Sequence, residues 1–256
     1  MLRELWRYRA LLGVLVTKEL KLRYRRSVLG FAWTMLNPLL TMLILTLVFS
    51  HAMRVQLENF PAYVLCALLP WNFFAQSLVG GSQSLLSNES LLRTVKVPRA
   101  IFPISMVLSH LVNLTLALVP FALVLLWQGI PLTVVAPLAL VSLFFLALFT
   151  TGVVLAFSAW TVFFRDLTQL LEVGLPALFY LTPIIYPLTI LPENYRRFFE
   201  WNPVTRLITP WRTLLLDGTL PPFSDFWIPA ALAVGAFAIG VAVFRRHEND
   251  FLVYLS

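Results

Sequence analysis

Residues 100–164 read AIFPISMVLSHLVNLTLALVPFALVLLWQGIPLTVVAPLALVSLFFLALFTTGVVLAFSAWTVFF, a run of 65 positions without a charged side chain. Such runs mark membrane-spanning helices, because one Arg or Lys at the centre of a span costs about 2.5–3.5 kcal/mol. About 20 apolar residues cross the hydrocarbon core, so this run is long enough for at least two spans. The glycine and proline in Gln128–Pro131 predict the turn between them.

Four shorter charge-free runs predict one span each. They are Ser27–Met53, Asn59–Asn88, Val173–Pro192 and Phe226–Phe244, with lengths of 19 to 30 residues. We therefore predict an all-α integral membrane protein with six transmembrane helices. A seven-span alternative places three spans in the long run, which would leave almost no residues for the two turns that it needs.

The composition excludes several classes of protein. Of the 256 residues, 59% are hydrophobic and 12% are charged, whereas soluble domains carry about 25% charged residues. A disordered chain, a coiled coil and an ordinary soluble enzyme are therefore excluded. The net charge of +7 does not predict a nucleic-acid partner, because a nucleic-acid-binding domain needs no apolar runs of this length. The one cysteine, Cys66, excludes an intramolecular disulfide and a cysteine-rich metal site.

The distribution of basic residues predicts the orientation in the membrane. The six-span topology places 14 Lys and Arg residues on the side of the N-terminus and five on the other side. Cytoplasmic segments carry such an excess, so we predict that both termini are cytoplasmic. The seven-span alternative divides the same residues 15 to 4, and charge counting alone does not separate the two topologies.

Residues 1–26 are expected to form an amphipathic helix on the cytoplasmic surface, ahead of a six-span domain over residues 27–256. The apolar face of its helical wheel includes Leu5 and Trp6, and the opposite face includes Arg7, Lys18, Lys21 and Arg25. Such a helix binds the lipid interface or a partner protein. A simple topology anchor is an equally good interpretation of this pattern.

Residues 87–99, between the second and third predicted spans, form a short basic segment. The Ser-Asn pair at its start and Pro98 near its end predict about two helical turns that project into the cytoplasm. From these residues alone, a basic loop that only sets the topology is the favoured interpretation.

Residues 193–225, between the fifth and sixth predicted spans, mix charges with bulky apolar side chains that an exposed loop rarely carries. We expect short re-entrant or interfacial helices in the outer leaflet, interrupted at Pro203 and Pro210. The residues that mark this outer segment are Trp201, Asn202, Pro203 and Trp211.

The sequence contains no Gly-x-x-x-x-Gly-Lys-Ser/Thr phosphate-binding loop, so transport driven by ATP would need an ATPase on another chain. The three histidines, His51, His110 and His247, lie far apart in the predicted topology, and no metal site is expected. We expect His110, within the third span, to be a hydrogen-bonded structural residue. The span interiors also lack the carboxylates of ion-coupled carriers, and no cofactor is expected on this chain.

Several short motifs occur in order along nearly the whole chain. They are Lys18–Trp33 (KELKLRYRRSVLGFAW), Asn37-Pro38-Leu39, Val97-Pro98-Arg99, Phe163-Phe164-Arg165-Asp166, Thr182–Pro187 (TPIIYP) and Trp201–Thr205 (WNPVT). Together they resemble the permease subunits of bacterial ABC exporters for polysaccharides and polyol phosphates, in the type-2 ABC permease superfamily. The family commonly has Ser at the position of Thr182, which is a conservative departure.

The resemblance implies a homodimer of six-span subunits in the bacterial inner membrane, with two copies of a separate ABC ATPase that holds ATP and Mg²⁺. The ATPase would be held by the N-terminal helix and by the segment after the second span, while the outer segment would shape the exit. The candidates for ATPase coupling are Arg93, Lys96 and Arg99, with a second contact at Arg165 and Asp166. The implied substrate is a polymer on a lipid carrier.

Aromatic side chains are candidates for a polysaccharide path, because aromatic faces stack on sugar rings. Those of interest are Phe31, Trp33, Phe73, Phe74, Phe179, Tyr180 and Tyr186. An interfacial belt explains most tryptophans near the ends of spans equally well.

We therefore expect the transmembrane subunit of an exporter for a lipid-linked O-antigen-like polysaccharide or a teichoic-acid-like polymer. One alternative is a type-2 ABC permease for a drug or a small lipid, which would share the topology. Another is a membrane-embedded transferase acting on polyprenyl-phosphate sugars, which would need clustered carboxylates at one membrane face. The outer residues available for such a cluster are Glu193, Glu200, Asp217 and Asp225.

Overall fold

The computed structural model describes residues 2–24, 27–52, 57–95 and 97–254, and all regular secondary structure within these ranges is helical. The α-helices of the described residues are α1 (Leu2–Arg7), α2 (Arg9–Tyr24), α3 (Trp33–Thr46), α4 (Phe60–Ser87), α5 (Glu89–Thr94), α6 (Ile101–Trp127), α7 (Ala139–Phe163), α8 (Leu167–Tyr180), α9 (Glu193–Glu200), α10 (Pro203–Arg212), α11 (Ser224–His247) and α12 (Phe251–Tyr254). Short 3-10 or π turns occur at Gly30–Ala32, Leu47–Ala52, Ala136–Leu138, Leu188–Ile190 and Thr213–Asp217. The predicted all-α fold class is confirmed for the described part of the chain.

Five helical segments among the described residues are long and apolar enough to cross a membrane. They are Gly30–Ser50, Phe60–Ser87, Ile101–Trp127, Ala136–Phe163 and Ser224–His247. Each coincides with a predicted charge-free run, and the long run holds two of them, as predicted.

The turn inside the long run forms at the predicted glycine. Gly129 has φ +71°, a backbone conformation that glycine adopts without strain. The amide of Ile130 donates to the carbonyl of Leu125, a hydrogen bond of the Schellman motif that ends α6. The side chain of Gln128 accepts a hydrogen bond from the backbone amide of Ala62 at 3.2 Å, which ties this turn to the start of α4.

The predicted fifth span, Val173–Pro192, is only partly helical. Helix α8 begins earlier, directly after Asp166, and has 14 residues. At 1.5 Å per residue it measures about 21 Å, less than the roughly 30 Å of the hydrocarbon core. Pro183 lacks the amide that would continue the helical hydrogen bonds, and residues 181–187 are non-helical.

Helix α4 is the centre of the bundle, and its side chains are buried along most of its length. It packs against α3, α6, α7, α8 and α10. Gly81 allows α7 to approach closely, because a Cβ atom there would overlap Val154. The most extensive helix pair is α7 with α11. These two helices cross at Gly152 and Gly240, where an added Cβ atom on either would overlap the backbone of the other helix.

Candidate functional site

At one end of the bundle (the basic end), a hydrophobic cluster joins short helices to the ends of long ones. Its buried members are Leu15, Leu85, Leu92, Ala100, Ile101, Phe102, Leu155, Ala159, Val162, Phe244 and Phe251. These side chains come from α2, α4, α5, α6, α7, α11 and α12 and from the residue before α6. The two segments that the resemblance assigns to the ATPase, α2 and α5, are therefore packed on one common base.

A hydrogen bond joins α2 directly to the junction between α4 and α5. Lys18 Nζ donates to Asn88 Oδ1 at 3.2 Å, and Asn88 Nδ2 donates to the carbonyl of Ser84 at 2.9 Å. Residues 18 and 88 are 70 positions apart in the chain, so no local sequence pattern predicts this contact. This bond and the shared cluster hold α2 against the α4–α5 junction.

The two helical turns predicted after the second span are present as α5. Arg93 on this helix forms an ion pair with Glu89 one turn earlier, with 2.8 Å between Nη2 and Oε1, and both side chains remain partly exposed. Arg99 is half-buried just before α6. Lys96 lies outside the described residues.

The second predicted coupling contact lies in the turn between α7 and α8. Arg165 and Asp166 are both exposed there. The last turn of α7 contributes Val162 to the cluster that also holds Leu92 of α5. The two predicted coupling regions therefore lie at the same end of the bundle.

The predicted N-terminal amphipathic helix forms as two nearly continuous helices, α1 and α2. The amide of Tyr8 donates to the carbonyl of Glu4, and the amide of Leu12 donates to the carbonyl of Tyr8, so helical bonds continue through the junction. Leu5 is half-buried against the cluster, and Leu15 is buried in it. The exposed basic residues include Arg7, Lys18 and Lys21, and Arg25 lies outside the described residues.

Trp6, which shares the predicted apolar face with Leu5, is 70% exposed, so that face meets the bundle at Leu5 but not at Trp6. The buried face follows Leu5, Tyr8, Leu12 and Leu15. Trp6 is one residue, or about 100°, further around the helix than Leu5 and therefore points away from the bundle. Its ring lies 5.1 Å from the guanidinium carbon of Arg9.

The aromatic path candidates do not form one surface. Phe73 and Phe74 are buried in the core, Phe179 and Tyr186 are half-buried, and Phe31, Trp33 and Tyr180 are exposed. A first subset, Trp33 and Phe73, lines a cavity between α3, α4 and α6. A second subset comprises Phe74 and Phe179, which both contact the ring of Trp71 at 5.9 and 5.6 Å.

At the opposite end of the bundle, the outer segment forms α9 and α10, and α10 packs against α4, α7 and α11. Asn202 caps α10 by accepting the amide of Val204 at 2.9 Å, and Pro203 occupies the first helical position, where its missing amide costs no bond. The predicted interruption at Pro203 is therefore present. The interruption predicted at Pro210 was wrong, because α10 continues through it to Arg212.

The two tryptophans of the outer segment have different environments. Trp211 is buried, and its Nε1 donates to the carbonyl of Cys66 in α4 at 2.9 Å. Trp201 is 78% exposed. It lies at the end of α9, a helix without buried residues, so the protein core covers bulky side chains of α10 and not those of α9.

Carbonyl groups of the non-helical segment 181–187 accept hydrogen bonds from other parts of the bundle. The donors are Arg212 of α10, Asn202 at the cap of α10 and Tyr63 of α4. Arg212 donates from Nη2 to the carbonyl of Pro183 at 2.9 Å and from Nη1 to Tyr63 Oη at 2.7 Å. Tyr63 in turn donates to the carbonyl of Tyr186 at 3.1 Å. Asn202 Nδ2 donates to the carbonyl of Leu181 at 3.1 Å and to the hydroxyl of Thr182 at 3.0 Å.

We expect Arg212→Met to lower the free energy of unfolding by about 2 kcal/mol, because it leaves carbonyls of the non-helical segment without their charged donor. Thermal unfolding of the purified protein in detergent would measure the loss. Arg206→Met is the matched control on the same helix, since the contact of Arg206 among the described residues is a long ion pair with Asp225 at 3.8 Å. Equal melting temperatures for the two variants would contradict a structural role for Arg212.

The described residues contain no group of three His, Cys, Asp or Glu side chains that could hold a metal ion. The carboxylates of the outer segment have separate neighbours. Asp225 lies near Arg206, while burial raises the pKa of Asp217 and the Arg212 guanidinium opposes that rise. Among the described residues, the outer segment therefore holds no group of three such side chains.

A family model described as ABC-2 type transporter matches residues 10–216. The chain belongs to the ABC-2 type transporter family. ABC-2 permeases have no ATPase site of their own, and their ATPase is a separate subunit. This membership confirms the resemblance drawn from the short motifs.

Several relatives of this ABC-2 permease are named for polysaccharide export or transport. The O-antigen export system permease protein RfbA of Myxococcus xanthus is 34% identical over 98% of this chain and 97% of its own length. A Klebsiella pneumoniae protein of the same name is 33% identical over 94% of this chain and 93% of its own. The polysialic acid transport protein KpsM of Escherichia coli is 24% identical over 93% of each chain.

Proposed function

We propose that this chain is the transmembrane subunit of an ATP-driven exporter that moves a lipid-linked polysaccharide outward across the bacterial plasma membrane. The observation that carries the proposal is the likeness, over nearly the whole chain, to permeases of O-antigen export systems. The substrate is an O-antigen-like glycan, and a teichoic-acid-like polymer is the related alternative. ATP and Mg²⁺ are bound by the partner subunit.

The chain crosses the membrane six times, with α8 and the segment after it as the fifth crossing. Helix α8 begins beside Arg165 and Asp166 at the basic end, and segment 181–187 is bound by Arg212 and Asn202 of α10 at the opposite end. The seven-residue segment after α8 is long enough to cover the distance that the short helix leaves. The basic end and both termini then face the cytoplasm, as the excess of Lys and Arg favours.

The exporter contains two copies of this chain. Helix α3 buries only Pro38 and Met42, and α8 buries only Leu171 and Leu175. Both helices expose large apolar side chains, among them Leu43, Ile44, Leu170 and Val173. A second copy would bury these surfaces, and separation of spans 1 and 5 of the two subunits would open an aromatic-lined path between them.

Two copies of the ATPase bind at the basic end, on α2 and α5. When ATP closes the ATPase dimer, the force passes into the bundle through the shared cluster and the Lys18–Asn88 hydrogen bond. Arg93, Lys96 and Arg99 contact the ATPase, with Arg165 and Asp166 as a second contact.

The test is a deletion strain that carries either no copy or a tagged copy of the gene. We expect surface polysaccharide to disappear without the gene and to return with it, and an ATP-binding subunit to co-purify with the tagged chain in mild detergent. An ABC-2 permease for a drug or small lipid would bring down the ATPase but leave surface polysaccharide unchanged. With a transferase, no ATPase would co-purify. Unchanged surface polysaccharide or the absence of an ATPase would each overturn the proposal.

A further inference from the structure

A cavity of about 290 Å³ lies between α3, α4 and α6, inside the part of the bundle formed by spanning helices. Its polar lining consists of Thr34, Asn37, Asn72, Gln76, His110 and Asn113. Polar side chains inside a membrane bundle are costly, and they generally face a water-filled cavity or a substrate route. Some of these groups have partners within the protein, since Thr34 Oγ1 donates to the carbonyl of Phe31 and Asn37 Oδ1 accepts from Thr41. The cavity nevertheless has a polar lining that suits a polar occupant.

Among the residues that line this cavity, Asn113 has the least satisfied side chain. Both polar atoms of its side chain are buried, and neither has a hydrogen-bond partner among the described residues. An amide provides two donors and an acceptor with two lone pairs, and a buried amide without partners destabilises a fold. An apolar side chain would avoid this cost, so a bound molecule that pairs with the amide gives a physical reason for its presence.

The residues that line the cavity indicate which chemical class of ligand it suits. It contains amide, hydroxyl and imidazole groups but no Lys, Arg, Asp or Glu, so it provides no strong counter-charge for a phosphate or an ammonium group. Trp33 and Phe73 add two aromatic rings. Neutral donors and acceptors beside aromatic rings suit a ring that has hydroxyl groups on its edge and apolar faces. The volume lies near the lower end of small-molecule sites, which is about 300 Å³.

We infer that this cavity binds one neutral sugar unit of the transported polymer in each subunit. The inference rests on the proposed function and names the part of the substrate that the site recognises. The site lies within one subunit, between spans 1, 2 and 3, and is therefore separate from the path between spans 1 and 5 of two subunits.

A second cavity of about 230 Å³ indicates how the sugar enters. It is lined by Glu19 and Leu22 of α2 and by Met106 and Ser109 of α6, and it shares Asn113 with the first cavity. Asn113 thus lies between the sugar site and the helix that contacts the ATPase. Entry occurs from the basic end, alongside α2.

Cysteine labelling tests occupancy and access. The native Cys66 is fully buried, so Asn113→Cys on a Cys66→Ala background provides a single reactive thiol. We expect a water-soluble methanethiosulfonate reagent to label it in inside-out vesicles, and glucose, galactose or mannose to slow the labelling at least threefold. The control is Ser90→Cys, which is exposed on α5 at the basic end and whose labelling should not respond to sugar. Labelling without protection by any hexose indicates a cavity filled by water only and overturns the inference.

Export by the intact complex provides the second measurement. Asn113→Leu should reduce surface polysaccharide at least tenfold while its melting temperature stays equal to or above that of the wild type, because an apolar side chain replaces an unpaired amide. Val112→Leu should export normally. A lower melting temperature with lost export would indicate a structural role, and normal export would show that the cavity is not used. In either case, export by the same strain with the wild-type gene tests the proposed function independently of this result.

Discussion

Lys96→Glu combined with Arg99→Glu is expected to reduce export by at least about tenfold while the partner subunit still hydrolyses ATP. Arg99 lies between α5 and α6, beside the cluster that joins the short helices of the basic end to the bundle. Reversing two charges in a docking surface replaces attraction by repulsion and costs several kcal/mol, where each 1.4 kcal/mol is a factor of ten. Export and ATP hydrolysis would be measured on the same membranes.

The control for this prediction is Arg245→Glu with Arg246→Glu. Both residues are exposed near the end of α11, also at the basic end, so the pair changes the net charge of that end by the same amount. The control should insert and export normally. Equal losses in the two double variants would show that total charge at this end matters rather than the α5–α6 connection, and normal export by the first pair would refute the docking assignment.

Gly240→Val is expected to prevent stable folding. Helices α7 and α11 form the most extensive helix pair, and a Cβ atom at Gly240 would overlap the backbone carbonyl of Gly152. Overpacking usually costs about 1–3 kcal/mol, and we expect the upper end or more here because the obstructing atoms belong to the backbone of a helix and not to a flexible side chain. The measurement is the yield of monodisperse protein in detergent and its melting temperature.

A second position on α11 provides the matched control. An added Cβ atom at Gly235 would meet no heavy atom within 4 Å, so Gly235→Val makes the same chemical change on the same helix without overlap. Gly152→Val should behave like Gly240→Val, because its Cβ atom would meet the backbone of Ala236. If Gly240→Val and Gly235→Val give equal yields, the close crossing of α7 and α11 does not limit stability.

Sequence patterns predicted four of the long helices well because the relevant information is local. A charge-free run predicts α4, α6, α7 and α11 wherever the rest of the chain lies, since the cost of a charge in hydrocarbon depends on the residue itself. The turn at Gly129 was equally predictable, because glycine adopts the positive φ of this turn without steric cost. The short helix α5 and the break before α10 also follow from local residues.

The fifth span shows where local information ends. Val173–Pro192 has no charged residue, yet its helix ends at Tyr180. Prolines explain why the helix stops, but the conformation of the following chain depends on donors from elsewhere, including Arg212 and Tyr63. The exposure of Trp6 has a similar origin, because the bundle decides which stripe of an amphipathic helix it covers.

The sequence by itself predicted an all-helical membrane protein that resembles the ABC-2 permeases, because hydropathy, turn residues and short motifs are properties of contiguous residues. The tertiary structure alone decided which distant residues meet. It joined Lys18 to Asn88 and brought Gly152 against Gly240. It also placed Asn113 unpaired in a polar cavity. The physical reason is that packing and hydrogen bonding depend on atoms a few ångströms apart in space, which separation along the chain does not specify.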